Sequence, residues 1–488
     1  MPDITMLPSY PPASDGQRGD EAIPSHPLGV KPSGNALLAT WSLRDAIGTF
    51  RLLPDELILL LLEHLDGSSL LGIGRTCKAF YAFTRAEELW KALFVESPLD
   101  NFTWRGTWRS TYLNLPSSKV PMIDCSHLYS DVLYRPFNCA HIALDPYVTK
   151  IPARNQIPRF PDLSPDEFHA KWADQPFVLT EPVKAWPVYK DWTIGSLLSE
   201  HGQEKFRAEA VDWPLSTYRD YMADNSDESP LYLFDRAFVP KMGLAVGPPE
   251  STPNAAYWPP SCFAEDFFSV LGKNRPDHQW LIVGPERSGS KFHKDPNATS
   301  AWNAVLRGPK YWIMFPSGDK RAPPPGVFVS DDQSEVTSPL SIAEWLLNFH
   351  AEARRTPGCM EGICGEGEIL HVPSGWWHLV VNLEPSIAIT QNFIPRAHLC
   401  AALDFLSNKP DQVSGFRNNV ENPYEKFVNG MQEAYPDLLA QAQEELQKKI
   451  DGKKRKWEEI VHGKTEEAES ATGGFSFGFG DDSDVEVP

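Results

Sequence analysis

The chain has 488 residues, 41% of them hydrophobic, and a net charge of −20 at neutral pH. That length exceeds what one core supports, so two or more domains are expected. The acidic balance argues against a broad nucleic-acid surface, which needs clustered Lys and Arg. No run of 18 apolar residues and no basic, then apolar, leader is present, so neither a membrane span nor secretion is expected.

Residues 1 to 50 are rich in Pro, Ser and Gly, lack periodicity, and are expected to be disordered. A change follows at residue 52, in LLPDELILLLLEHLDGSSLLGIGRTCKAFYAFTRAEELWKALF. Pro54 is placed in a first helical turn, and Leu57, Leu60, Leu61 and Leu65 recur at helical spacing. Gly67, Ser68 and Ser69 supply a stop and a new N-cap. Further helices fit Leu70 to Thr76 and Ala79 to Phe94. With its LPDEL opening, the Leu70-Leu71 and Cys77-Lys78 steps, and Trp90 with Phe94, the segment resembles the F-box. That resemblance implies docking of a Skp-type adaptor of a cullin ubiquitin ligase through residues 52–94. The alternative is that these leucines pack against the rest of the chain.

Residues 96–164 read as connecting helix and loop ending in a Pro-rich run, with a domain boundary nearby. From Leu163, helical segments (SPDEFHAKWAD, TIGSLLSEHG, STYRDYMAD) alternate with short strands (PFVLTEP, KFRAEAV, PLYLFD), and beyond Gln279 the pattern is dominantly β. The seven cysteines form no CxxC pair and read as reduced thiols, Cys359 and Cys364 as ordinary loop cysteines. Amphipathic helices broken at Pro436 are expected over residues 423–460. The KKRK run at 453–456 is either a nuclear signal or solvated surface. Beyond residue 463 the acidic, Gly-rich tail reads as disordered. A nuclear and/or cytoplasmic location is expected.

The chemistry sits in QWLIVGPERSGSKFHKDPNATSAWNAVLRGPKYWIMFP. His293 and Asp295 lie two apart, and in a strand such residues share a face. A third imidazole completes the facial two-His-one-carboxylate set of non-haem Fe(II) oxygenases and leaves positions open for a chelating co-substrate and dioxygen. EGEILHVPSGWWHLVVNLEPSIAITQNF offers His371 and His378. The Pro373-Ser374-Gly375 turn favours His378, in the third position of the strand WWHLVVN, with His371 in a supporting or surface role. In SIAITQNF, Ala388, Thr390 and Asn392 share one face and Ile387 and Ile389 the other, so the small polar face can line a wet cavity.

SPLYLFD, VGPERSGS, HKDPNATSAWNAVLRGPKYWIMFP, VPSGWWHLVVNLE and SIAITQNF together resemble the jumonji-C oxygenases, closest to the branch of the lysyl hydroxylase and arginine demethylase. The resemblance spans about residues 165–400. It implies an α+β protein: a double-stranded β-helix, or cupin-like jelly roll, with flanking helices (401–462 on the C-terminal side), preceded by the F-box-like module at 51–95. By resemblance the metal falls to His293, Asp295 and His378. The 2-oxoglutarate site falls to Lys310, Tyr232, Asn303, Thr390, Asn392 and Ser290, where the branch often has Thr; no further catalytic residue is implied. The implied cofactors are Fe(II), 2-oxoglutarate and dioxygen. The implied reaction hydroxylates a lysyl side chain or demethylates methylated Arg or Lys in a protein, with histones as one option. A basic peptide would suit the acidic chain. Two other readings are an adaptor whose barrel holds targets without turnover, and a metal-binding cupin-like protein with another activity.

Overall fold

The computed structural model describes residues 23–99, 101–116, 122–318, 321–417 and 420–452. The KKRK run, the acidic tail and the first part of the lead-in lie outside these residues.

Eight strands form the centre: β1 (Gln279–Gly284), β2 (Gly289–His293), β3 (Ser300–Arg307), β4 (Lys310–Phe315), β5 (Met360–Cys364), β6 (Glu368–Val372), β7 (Trp377–Asn382) and β8 (Ser386–Phe393). One sheet runs β6-β3-β8-β1 and the other β5-β4-β7-β2. The chain thus winds back and forth between two facing sheets, the double-stranded β-helix that the resemblance implied. The first sheet continues past β6 through Phe177–Leu179 and past β1 through Leu233–Asp235.

Alternation decides what faces the interior. Leu281, Val283, Trp302, Ile387 and Ile389 pack on the outer face of the first sheet, and Tyr311, Ile313, Leu379 and Val381 on that of the second. Their neighbours Ala301, Val305, Trp312, Met314, Val372 and Val380 therefore turn inward and pack together. The Pro373-Ser374-Gly375 turn, with Gly375 at φ 73°, joins β6 in one sheet to β7 in the other. The turn crosses the barrel instead of closing a hairpin. β7 starts at Trp377, so His378 is its second residue and not the third.

The F-box-like region forms four helices, α1 (Asp55–Glu63), α2 (Gly67–Ile73), α3 (Lys78–Phe83) and α4 (Glu87–Glu96). Pro54 is the N-cap of α1, one position before the first turn. Asp66, not Ser68 or Ser69, caps α2 by accepting from the Ser69 amide. The helix expected from Ala79 to Phe94 is broken after Phe83, where the buried Trp90 indole donates to the Thr84 carbonyl at 2.8 Å. The expected apolar stripe is also rotated. Ile58 and Leu62 are buried, whereas Leu57, Leu60 and Leu61 are 43%, 50% and 49% exposed. A buried leucine contributes about 1.5–3 kcal/mol relative to an exposed one, so three neighbouring leucines left in solvent forgo that stabilisation.

Two expectations fail on the N-terminal side. The lead-in is structured from Ile23: Leu28, Val30, Leu43 and Ile47 are buried, with short 3-10 turns at Ser33–Leu38, Leu43–Ala46 and Gly48–Leu52. No boundary falls near Pro161 either. Trp104 and Trp108, inside the expected linker, pack edge-on or tilted against Trp213 and Tyr221, and the Trp108 indole donates to Asp227. The described residues form two compact units, one comprising those up to Ala264, Asp277–Asp295 and those from Ser300 to Phe393. The other comprises Glu265–Pro276, Pro296–Thr299 and the described residues from Ile394 onward. The second unit has its own core of Phe267, Leu403, Phe427, Met431 and Leu439. Its helix Pro423–Ala434 and the helical residues 436–452 are separated at Tyr435, just before Pro436, where a helix is expected to stop.

Candidate metal centre

His293 is the last residue of β2, and His378 lies opposite it on β7. Asp295 sits beyond the strand end, but Pro296 after it disfavours helical backbone at that position. The alternation expected within a strand is thereby carried one step further. Ligand-type atoms of His293, Asp295 and His378 all lie within 4.8 Å of one another, and the two imidazole centroids are 4.1 Å apart.

The hydrogen bonds set the direction of each imidazole. His293 Nδ1 lies 2.8 Å from the Lys291 carbonyl and His378 Nδ1 lies 3.1 Å from the Trp376 carbonyl. A carbonyl only accepts, so Nδ1 carries the proton and Nε2 keeps its lone pair for a metal. Burial, reinforced by His293, holds His378 well below its ordinary pKa, so it is neutral. Burial pushes the Asp295 carboxyl up, against the pull of His293 and an Asn392 hydrogen bond. Asp295 Oδ2 is buried without a hydrogen-bond partner. A buried unpaired carboxylate oxygen is costly, and a divalent cation between two lone pairs would satisfy it. The donor set fits Fe(II).

Further inside lies a second polar group. Lys310, the first residue of β4, is fully buried, and burial pushes its ammonium down to about 7. Its Nζ donates to Tyr232 Oη at 2.9 Å and to Asn382 Oδ1 at 2.6 Å. Asn382 is itself oriented by donating from Nδ2 to Ser288 Oγ at 2.9 Å. Gly284 allows this packing, since a Cβ there would lie 2.2 Å from Ser288 Oγ and 2.7 Å from the Tyr232 ring. Both partners of Lys310 are neutral, so this ammonium can take an anionic ligand.

The remaining predicted residues line the same interior. Thr390 lies opposite Asn303, its hydroxyl donating to the Trp302 carbonyl at 2.8 Å, and Asn303 Oδ1 is buried without a partner. Ser290 needs a further device. Val380 opposes Ser290 while His378 opposes His293, so three steps along β2 match two along β7. This bulge lets residues three apart face the same interior.

Two expectations are corrected. His371 is neither at the surface nor near the triad: it is buried on the outer face of the first sheet against Phe168, Phe177 and Phe263, with Nε2 3.1 Å from the Ala173 carbonyl. Of the two expected loop cysteines, Cys359 lies in a loop and Cys364 in a strand. Both are buried, and Cys364 ends β5 opposite Lys310. The residues that sequence reasoning missed are Asn382, Ser288 and Gly284.

A cupin-like domain model matches residues 254–398 and an F-box-like model residues 50–96. The arginine-specific demethylase JMJ22 of Arabidopsis thaliana is 37% identical over 460 residues, covering 90% of this chain and 87% of that protein. The chain belongs to the jumonji-C family of iron- and 2-oxoglutarate-dependent oxygenases. Other jumonji-C relatives align over less. The bifunctional arginine demethylase and lysyl-hydroxylase psr-1 of Caenorhabditis briggsae is 30% identical over half of this chain and 62% of its own. The 2-oxoglutarate and iron-dependent oxygenase JMJD4 of Danio rerio is 31% identical over 30% and 32%.

Proposed function

We propose that this jumonji-C oxygenase demethylates N-methylated arginine side chains of a protein, with Fe(II) on His293, Asp295 and His378 and the distal carboxylate of 2-oxoglutarate on Lys310 and Tyr232. The observation that carries the proposal is the pairing of a three-ligand cluster, one carboxylate oxygen of which is buried and unsatisfied, with an interior ammonium lacking an anionic partner. The arginine preference rests on the similarity to JMJ22 along most of both chains.

When bound, the iron supplies the oxidation: dioxygen and 2-oxoglutarate become succinate, CO2 and one oxygen atom inserted into a substrate C–H bond. The chain's own residues prepare the site. The Lys291 and Trp376 carbonyls hold the imidazoles with Nε2 inward, and Asn392 orients Asp295. The Asn382–Ser288 pair aims the Lys310 ammonium. Trp312, Met314 and Val380 make the interior apolar, which strengthens each charge interaction and excludes water. A methyl group hydroxylated on an arginine nitrogen leaves as formaldehyde and restores the N–H.

Purified protein with Fe(II), 2-oxoglutarate and a dimethylarginine peptide should release formaldehyde and succinate in equal amounts, with loss of a methyl group by mass spectrometry. Succinate release with retention of every methyl group, and a gain of one oxygen on a lysyl peptide instead, would replace demethylation by hydroxylation.

A second role rests on the exposed leucines of α1. We infer that Leu57, Leu60 and Leu61 contact a Skp-type adaptor. Leu57→Asp with Leu61→Asp should reduce adaptor capture at least tenfold, since two buried leucines at about 1.5 kcal/mol or more each exceed that factor. Formaldehyde release should be unchanged. Undiminished capture by the double variant would show that this face does not contact the adaptor.

A further inference from the structure

We propose that Phe234 and Trp280 form an aromatic shelf that seats the substrate's methylated guanidinium at the side of the metal cavity; this rests on the demethylase reading above. On β1, Trp280 lies opposite Thr390 of β8, and Thr390 lies opposite Asn303 of β3. One row along, Ile282 lies between Ala388 and Phe234. Because Leu233, Leu281 and Ile389 pack on the outer face of this sheet, alternation turns Phe234 and Trp280 to the face that carries Thr390. The two rings are 5.3 Å apart and inclined at 34°. Phe234 is 40% exposed, and Trp280 is half-buried. The pair therefore forms a continuous aromatic surface from solvent to a residue lining the cavity.

Several features favour a cationic occupant. The face of an aromatic ring carries negative charge density, and a methylated guanidinium is planar, weakly hydrated and positive, so it can lie flat on such a surface. Among the described residues no Lys or Arg side chain lies over either ring. The neighbouring cation, Arg236, donates instead to Asp277. The net charge of −20 adds a long-range preference for a positive ligand. Trp280 also stands one strand from Thr390 and two from Asn303, in the interior row beside the metal ligands, whereas a contact for another protein would need no such placement.

The test uses the full-length protein with Mn(II) and N-oxalylglycine in place of iron and co-substrate, and calorimetric binding of three peptides. These are identical except for dimethylarginine, arginine or neutral citrulline at one position. Wild-type protein should bind the dimethylarginine peptide most tightly and the citrulline peptide at least about threefold more weakly. Trp280→Leu should weaken the dimethylarginine peptide roughly 3- to 30-fold, Trp280→Phe much less. Phe234→Leu, at the exposed ring, should give a smaller loss in the same direction, and it keeps the test readable if Trp280→Leu does not fold. Equal binding of citrulline and dimethylarginine peptides, or unchanged binding in both leucine variants, overturns the shelf. Binding that follows the expected order without formaldehyde release in the iron-loaded protein keeps the shelf and sinks the demethylase reading. Wild-type protein that neither binds nor demethylates the peptide overturns both.

Discussion

His378→Ala should abolish 2-oxoglutarate turnover, with a loss well beyond a hundredfold in succinate release and a correspondingly large loss of bound Fe(II). The size follows from what the residue does. Groups that only orient a metal ligand cost about 10- to 100-fold when removed, and His378 offers the lone pair itself. Its replacement leaves two ligands, His293 and Asp295, both from the end of β2, and no contribution from β7. Substituting His371, by contrast, should leave metal binding intact and lower stability instead, because that imidazole is packed among aromatic rings on the outer face of the barrel. Metal content by mass spectrometry beside thermal unfolding separates the two cases. Equal metal content in the wild type and His378→Ala would remove His378 from the site.

Lys310→Met should move stability and co-substrate affinity in opposite directions. Losing a charged hydrogen-bond donor to a carboxylate costs about 1.5–3 kcal/mol, so the KM for 2-oxoglutarate should rise roughly 10- to 150-fold, at 1.4 kcal/mol per factor of ten. Without co-substrate, the same change removes a buried cation that has no anionic partner and should raise the melting temperature at pH 6. The pH dependence has a definite sign. Burial holds Lys310 at about 7, below its ordinary 10.5, so between these values the unfolded chain binds more protons than the folded one. The contribution of Lys310 to stability therefore rises with pH from about 7 toward 10.5, and Lys310→Met should remove that rise. A bound carboxylate raises the pKa of Lys310. Co-substrate binding above pH 7 should accordingly take up a proton and weaken as pH increases. Calorimetry in buffers of different ionisation enthalpy measures that proton directly.

The parts of the site that were legible in the sequence were local. The two-residue spacing of His293 and Asp295, the glycine turn before His378 and the alternation in SIAITQNF are all short-range patterns that geometry converts into shared faces. Asn382, Ser288 and Gly284 escaped because their role depends on which distant strands become neighbours around Lys310, and no periodicity reports that. Ser290 could be placed only by resemblance, since simple alternation puts it on the wrong face and the bulge that corrects it involves β7. In α1, leucines occur nearly all round the helix, so spacing could not decide which stripe turns inward; packing chose Ile58 and Leu62. The lead-in was misread because its anchors, Leu28, Val30, Leu43 and Ile47, are scattered among Pro and Gly without a repeat.

Anaerobic addition of 2-oxoglutarate to the Fe(II)-loaded protein, read as the visible metal-to-ligand charge-transfer band, tests the metal and co-substrate sites together. The band should appear in the wild type, be lost in His293→Ala, Asp295→Ala and His378→Ala, and need much higher 2-oxoglutarate in Lys310→Met. A folded wild-type protein without the band, or a band that survives loss of any of the three ligands, would contradict that site assignment.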